Sequence, residues 1–182
     1  MKIHIVDYGM GNIFSVQKKL LQENITVSIS SEPQDILQAD KIILLGVGHF
    51  KRAMDNLQVL NLIEPLNNFA LIQKKPVLGI CLGMQLMASF SEEGNSIGLG
   101  WVDASVKKFK TSDSQKFKIP HMGWNTINVT KKSALMNNIA PNEEFYFVHS
   151  FYMQPNDPDL ILNETNYIEN FCSGIEQENI FG

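Results

Sequence analysis

This chain has two cysteines, Cys81 and Cys172, and only Cys81 lies in a setting built for chemistry. Pro76-Val-Leu-Gly-Ile-Cys-Leu-Gly-Met-Gln85 carries a buried-strand pattern straight into Gly79-Ile80-Cys81-Leu82-Gly83. That is a cysteine version of the G-x-S-x-G nucleophile elbow. The flanking glycines permit a tight, strained turn that lifts the side chain out of the sheet at the start of a helix. Amides at a helix N-terminus favour a thiolate and lower its pKa. The backbone N–H of Leu82 would point toward an oxyanion forming beside the sulfur. The elbow predicts a thiol nucleophile; the competing reading is a buried, inert core cysteine.

Gly46-Val47-Gly48 follows the apolar run Ile42–Leu45 and should lie on the same sheet edge as the elbow. A flexible Gly-x-Gly backbone can turn N–H groups toward a developing oxyanion, though an ordinary turn has the same sequence. A thiol nucleophile also needs a base. His4 reads as a strand residue, His121 lies in a Pro-His-Met-Gly loop, and His49 and His149 could approach the site. Each reads more simply as a structural or substrate-lining group than as the base. Neither cysteine has another Cys or a His at metal-ligand spacing, so no metal and no cofactor are expected. Gly9-Met-Gly11 precedes a helix, but it is not G-x-G-x-x-G and has no P-loop lysine, which argues against a nucleotide site.

The elements that must position these residues alternate in the first half. Strand patterns at Lys2–Asp7, Ile25–Ser28, Lys41–Leu45 and Pro76–Ile80 are separated by helical ones. Helices are predicted at Ile13–Glu23, capped by Asn12 and packing Phe14, Val16, Leu20 and Leu21, and at Pro33–Leu37. Others follow Gly48, run over Leu60–Lys74, and extend from Cys81 to about Phe90. This predicts an α/β fold, a mostly parallel sheet with helices on both faces and ligands at the strands' carboxyl ends. Gly100–Lys108, Trp124–Val129, Glu144–Val148 and Leu160–Asn163 read as strands of an antiparallel extension, and Cys172 as a buried strand residue. Phe145, Phe147 and Phe151 with Tyr146 and Tyr152 read as one half-buried stripe, mostly core.

The 182 residues suggest one domain, and 44% apolar content is enough for a core. A net charge of −4 with mixed signs gives no basic stripe for nucleic acid. Lys107, Lys108, Lys110, Lys116 and Lys118 read as a solvated face or part of a docking surface. Without a signal-peptide pattern or a run of about 20 apolar residues, a soluble cytoplasmic protein is expected.

Further segments carry a family resemblance. Ile5-Val-Asp-Tyr-Gly-Met-Gly-Asn12, Gly46-Val-Gly48, Pro76–Gln85, Glu93-Gly94 and Gly98-Leu-Gly100 are followed by Ile119-Pro-His-Met-Gly-Trp-Asn125 and Tyr146-Phe-Val-His-Ser-Phe-Tyr152. Together they resemble the class I (triad-type) glutamine amidotransferases of flavodoxin-like fold, and within them the glutaminase subunits of imidazole glycerol phosphate synthase. The resemblance implies that Cys81 attacks glutamine's side-chain amide, releasing ammonia, and that water hydrolyses the thioester. It implies an oxyanion hole of Val47, Gly48 and Leu82, and substrate contacts at Gly46, Gly48, Gln85, His149, Ser150 and Phe151. Ammonia would pass to a (β/α)8-barrel cyclase, forming a heterodimer that makes imidazole glycerol phosphate and AICAR in histidine biosynthesis. Asn12, Met122, Trp124 and Tyr146 would lie near that interface and the ammonia exit.

Two departures stand out. Leu45 replaces the proline usual in the oxyanion segment, leaving φ freer and restoring an N–H. The family's histidine and glutamate lie in a Gln-Phe-His-Pro-Glu-Lys-Ser segment, with the histidine expected ~4 residues past Gly182. A native chain continuing with that segment, a final strand and a helix is expected; a truncated, inactive product is the alternative. Two other functions stay open: a paralogue feeding a surface-sugar amidotransferase, and a non-catalytic flavodoxin-like scaffold.

Overall fold

Apolar runs bounded by turn residues become the parallel centre of the sheet. In the computed structural model, which describes residues 1–140 and 142–182, these are β1 (Ile3–Val6), β2 (Val27–Ser30), β3 (Lys41–Gly46) and β4 (Val77–Cys81). They lie side by side in the order β2-β1-β3-β4, all parallel. Four helices connect them: α1 (Ile13–Gln22), α2 (Pro33–Gln38), α3 (Phe50–Val59) and α4 (Ile63–Asn67). Side chains alternate across the pleat of β3 and so divide the core in two. Ile42 and Leu44 join Tyr8, Phe50, Leu57 and Phe69 on one face. Ile43 and Leu45 join Ile5, Ile13 and Val27 on the other. Each such side chain, fully buried, contributes roughly 1.5–3 kcal/mol of hydrophobic stabilisation.

Beyond β4 the sheet turns mainly antiparallel. The sheet runs on as β4-β14-β13-β11-β7-β5-β6. These strands are β5 (Ala88–Ser91), β6 (Ser96–Ile97), β7 (Val102–Lys108), β11 (Phe151–Pro155), β13 (Asn170–Gln177) and β14 (Ile180–Phe181). β14 is parallel to β4, and β5 to β7. β12 (Ile161–Asn166) pairs with β13 and with the short β9 (Asn128–Val129). A separate antiparallel pair is formed by β8 (His121–Thr126) and β10 (Glu144–His149).

The structure corrects several expectations. α1 has the expected Asn12 cap, with its Oδ1 accepting from the Ser15 N–H. Its inward face, however, is Ile13 with Val16 and Leu20, while Phe14 is 76% exposed and Leu21 also faces solvent. β2 starts two residues later than Ile25. The segment over Leu60–Lys74 divides into α4 and a π-helical turn at Asn68–Ile72. The helix after Cys81, α5 (Leu82–Gln85), is only four residues long. Leu86, Met87 and Ala88 instead give their carbonyls to the backbone N–H groups of Leu99, Trp101 and Gly100. The aromatic stripe is two strands broken at Ser150, and much of the first, β10, is exposed.

Candidate functional site

The elbow forms where β4 ends. Cys81 has φ +55° and ψ −116°, a region that costs a non-glycine residue on the order of 1–3 kcal/mol and persists only where the surroundings impose it. They do so here by close packing: a Cβ at Gly83 would run into the Leu44 carbonyl of β3. The short helix is thereby pressed onto the sheet and the cysteine is thrown outward. Cys81 is exposed, whereas Cys172 is buried in β13. Burial pushes the Cys172 thiol up to about 12.

Protein packed around the Cys81 sulfur pushes its thiol above the ordinary value, and the Leu82 N–H pulls it partway back. The Leu82 amide at the helix N-terminus acts in the expected direction, but desolvation outweighs it. A helix of four residues has too short a stack of peptide dipoles to offset desolvation.

Gly46 is the ladder partner of Cys81 across β3–β4. The chain then leaves the sheet through exposed Val47 and through Gly48, which has φ +125°. Neither the Val47 nor the Gly48 N–H donates to another group among the described residues, so both are open to a ligand. Beneath Gly46 lies Tyr8, fully buried, with a hydroxyl that has no partner among the described residues. A Cβ at position 46 would collide with that hydroxyl. Tyr8 is a neighbour that the sequence reading missed.

Four residues past Cys81, at the end of α5, Gln85 is buried and donates from Nε2 to the Phe151 carbonyl at 2.9 Å. His149 Nδ1 donates to the same carbonyl at 2.8 Å, and the Ser150 carbonyl accepts from the Phe109 N–H at 3.0 Å. The structure therefore brings Gln85, His149, Ser150 and Phe151 together. His149 has no free ring nitrogen, since Nε2 lies 3.0 Å from His121 Nδ1. This histidine pair, opposed across β8–β10, was also missed; its signal was the pairing of the two segments.

The remaining histidines lie elsewhere. His4 bonds Ser28 Oγ and the Ser30 carbonyl within the sheet. His49 packs against Gly94, while Glu93 accepts from the Phe50 N–H at 2.7 Å.

The β8–β10 pair is two-faced. Its ladder pairs Trp124 with Tyr146 and Met122 with Val148, and all four side chains are exposed, Trp124 by 67%. Asn12 is also exposed. Among the described residues, no helix is long and apolar enough to cross a membrane.

The family described as glutamine amidotransferase class-I matches residues 4–182. Imidazole glycerol phosphate synthase subunit HisH 2 of Methanococcus maripaludis is 45% identical over 180 residues, covering 99% of this chain and 88% of its own. Subunit HisH 1 of that organism is 42% identical, with coverage of 98% and 88%. The HisH 2 subunit of Pseudomonas aeruginosa is 41% identical, with coverage of 99% and 88%. Among solved structures, a putative GMP synthase protein from Thermoplasma acidophilum superposes with a TM-score of 0.70 at 18% identity, covering 100% of this chain and 81% of that one. A glutamine amidotransferase superposes at 0.74 and 10% identity, covering 98% and 86%. Both share the α/β fold described above.

Proposed function

Because this chain belongs to the class-I glutamine amidotransferases, we propose that it is the glutaminase subunit of an imidazole glycerol phosphate synthase, making ammonia for a partner cyclase. The carrying observation is the strained Cys81 elbow, set opposite a strand end whose Val47 and Gly48 N–H groups are free. Sγ attacks the side-chain carbonyl carbon of glutamine. Charge collects on the carbonyl oxygen, where the N–H groups of Leu82, Val47 and Gly48 stabilise it. The C–N bond then breaks and ammonia leaves with a delivered proton. Water cleaves the thioester C–S bond, giving glutamate and the free thiol. Gly46 gives the substrate room beside the oxyanion strand. Gln85 and the backbone of Ser150 and Phe151 hold the amino-acid end.

The proton carrier in this reading is the family's histidine, oriented by its glutamate, beyond Gly182 in the same single domain. The register supports the placement: Ile180 pairs with Val77 and Phe181 with Leu78. A strand continued so comes level with Cys81 about three residues after Phe181, which puts a histidine about two residues further on just past the cysteine's end of the sheet. The ammonia must stay unprotonated and undiluted, which favours a dry passage into a barrel-shaped cyclase docked on the Met122, Trp124 and Tyr146 face, with Asn12 also at that interface.

The test uses the full-length chain assembled with its cyclase. Cys81→Ala is expected to abolish glutamine hydrolysis and leave synthesis from added ammonium salts intact. Retained hydrolysis would sink the assignment. A second reading has one observation behind it: a single organism carries two similar subunits, HisH 1 and HisH 2. One copy could therefore supply another acceptor, such as a surface-sugar amidotransferase. Recovery of a sugar-modifying partner instead of a cyclase would select that reading.

A further inference from the structure

The histidine pair forms part of a hydrogen-bond chain with one direction. Asn125 Nδ2 donates to the Asn166 carbonyl at 2.9 Å and lies 3.4 Å from His121 Nε2. His121 Nδ1 is 3.0 Å from His149 Nε2, and His149 Nδ1 is 2.8 Å from the Phe151 carbonyl. A carbonyl only accepts, so His149 carries its proton on Nδ1. In a neutral imidazole Nε2 must then accept, so His121 donates from Nδ1 and accepts at Nε2 from Asn125. Burial holds both imidazoles below their ordinary pKa, and therefore neutral near pH 7. Aromatic rings fix their planes: His121 is stacked between Phe147 at 4.8 Å and Tyr167 at 4.0 Å, and His149 lies 5.1 Å from Phe171.

The chain ends on an atom with a second task. The Phe151 carbonyl also accepts from Gln85 Nε2 at 2.9 Å, and this decides which way round the Gln85 amide sits. With one Nε2–H given to Phe151, Oε1 is the acceptor end of the amide turned away from that carbonyl, and an amide oxygen suits an ammonium donor. We propose that His149 is a positioning residue for glutamine: its Nδ1–H, aligned by His121, anchors the Phe151 carbonyl that turns Gln85 Oε1 toward the substrate's α-ammonium group. This rests on the glutaminase reading and adds to it a source of selectivity for the α-amino group.

The test compares two substitutions that keep different halves of the ring's hydrogen bonding. In His149→Asn the side-chain amide reaches the position of Nδ1 and can still donate to Phe151. In His149→Gln it reaches the position of Nε2, keeping His121 and losing Phe151. The readout, in the full-length chain assembled with its cyclase, is kcat/KM for glutamine divided by that for glutaramate, which lacks the α-amino group. Wild type and His149→Asn are expected to give the same ratio, and His149→Gln one lower by about tenfold or more. Most of that loss should appear in KM for glutamine. A general loss of packing lowers activity on both substrates and leaves the ratio alone. An unchanged ratio in folded His149→Gln, or equal loss in both variants, overturns the proposal while the glutaminase reading stands. A wild-type complex without Cys81-dependent glutamine hydrolysis overturns both.

Discussion

Gly46 and Cys81 are partners in the β3–β4 ladder, so the nucleophile and the strand that receives the oxyanion share one register. Any shift of Gly46 moves the free N–H groups after it relative to the sulfur. The Tyr8 hydroxyl occupies the place a Cβ at position 46 would take. Gly46→Ala is therefore expected to push the strand aside and cut glutamine hydrolysis by about 10²-fold. Adding Tyr8→Phe removes the obstructing oxygen and should restore part of the activity. Tyr8→Phe alone should leave Tm unchanged or raise it, since an unpaired buried hydroxyl costs roughly 1–3 kcal/mol. No recovery in the double variant would show that the collision is not the cause.

The Cys81 thiol, raised by desolvation and only partly lowered by the Leu82 N–H, should not be a standing thiolate at pH 7. Alkylation of Cys81 by iodoacetamide should climb about tenfold per pH unit from 6 to 8, without a plateau, because the thiolate is the reacting form. A plateau near pH 6 would mean a thiolate already formed, and would contradict the raised value. Peptide mass spectrometry separates this reaction from that of Cys172, which should stay unlabelled while the fold is intact.

The central strands were legible because strands buried on both faces are continuous apolar runs, as in Lys41–Leu45. The elbow was legible because its glycines flank the cysteine directly. The inward face of α1 was not, since Phe14 and Leu21 are as apolar as Val16 and Leu20 and only the sheet decides which side is covered. The early end of α5 depends on Leu99, Gly100 and Trp101, which take up backbone carbonyls of residues 86–88. No local pattern signals partners that far along the chain. The His121–His149 pair was hidden for the same reason, since it exists only through the β8–β10 register.

Burial lowers the pKa of His4 and His149, and takes His121 to about 4, with desolvation the largest cause each time. In the unfolded chain these groups return to 6.5. Between about 6.5 and 4 the unfolded state therefore binds more protons, and stability falls as the pH is lowered. The depressed carboxyls of Asp35, Asp40, Glu92 and Glu178 act in the same direction. Their ordinary values of 3.8 to 4.5 confine them to the acid end of that range. Tm should thus decline from pH 7 to pH 5, and His121→Asn should flatten the decline. A flat wild-type profile would show that the histidines bind protons without unfolding.

Trp124 and Tyr146 meet edge to face at 5.6 Å on the outer side of the β8–β10 pair, with Met122 and Val148 beside them. Exposed aromatic and apolar groups gathered on one face mark a docking surface more often than a fold requirement. Trp124 buries little in the isolated chain, so Trp124→Ala should change its stability by less than about 0.5 kcal/mol. If the cyclase docks there, the same substitution should weaken binding by about 2 kcal/mol or more, roughly 30-fold in Kd. Calorimetric titration of the cyclase into wild type and variant, beside their melting curves, reads both quantities. A large fall in Tm with unchanged affinity would make Trp124 a residue of the fold and move the interface elsewhere.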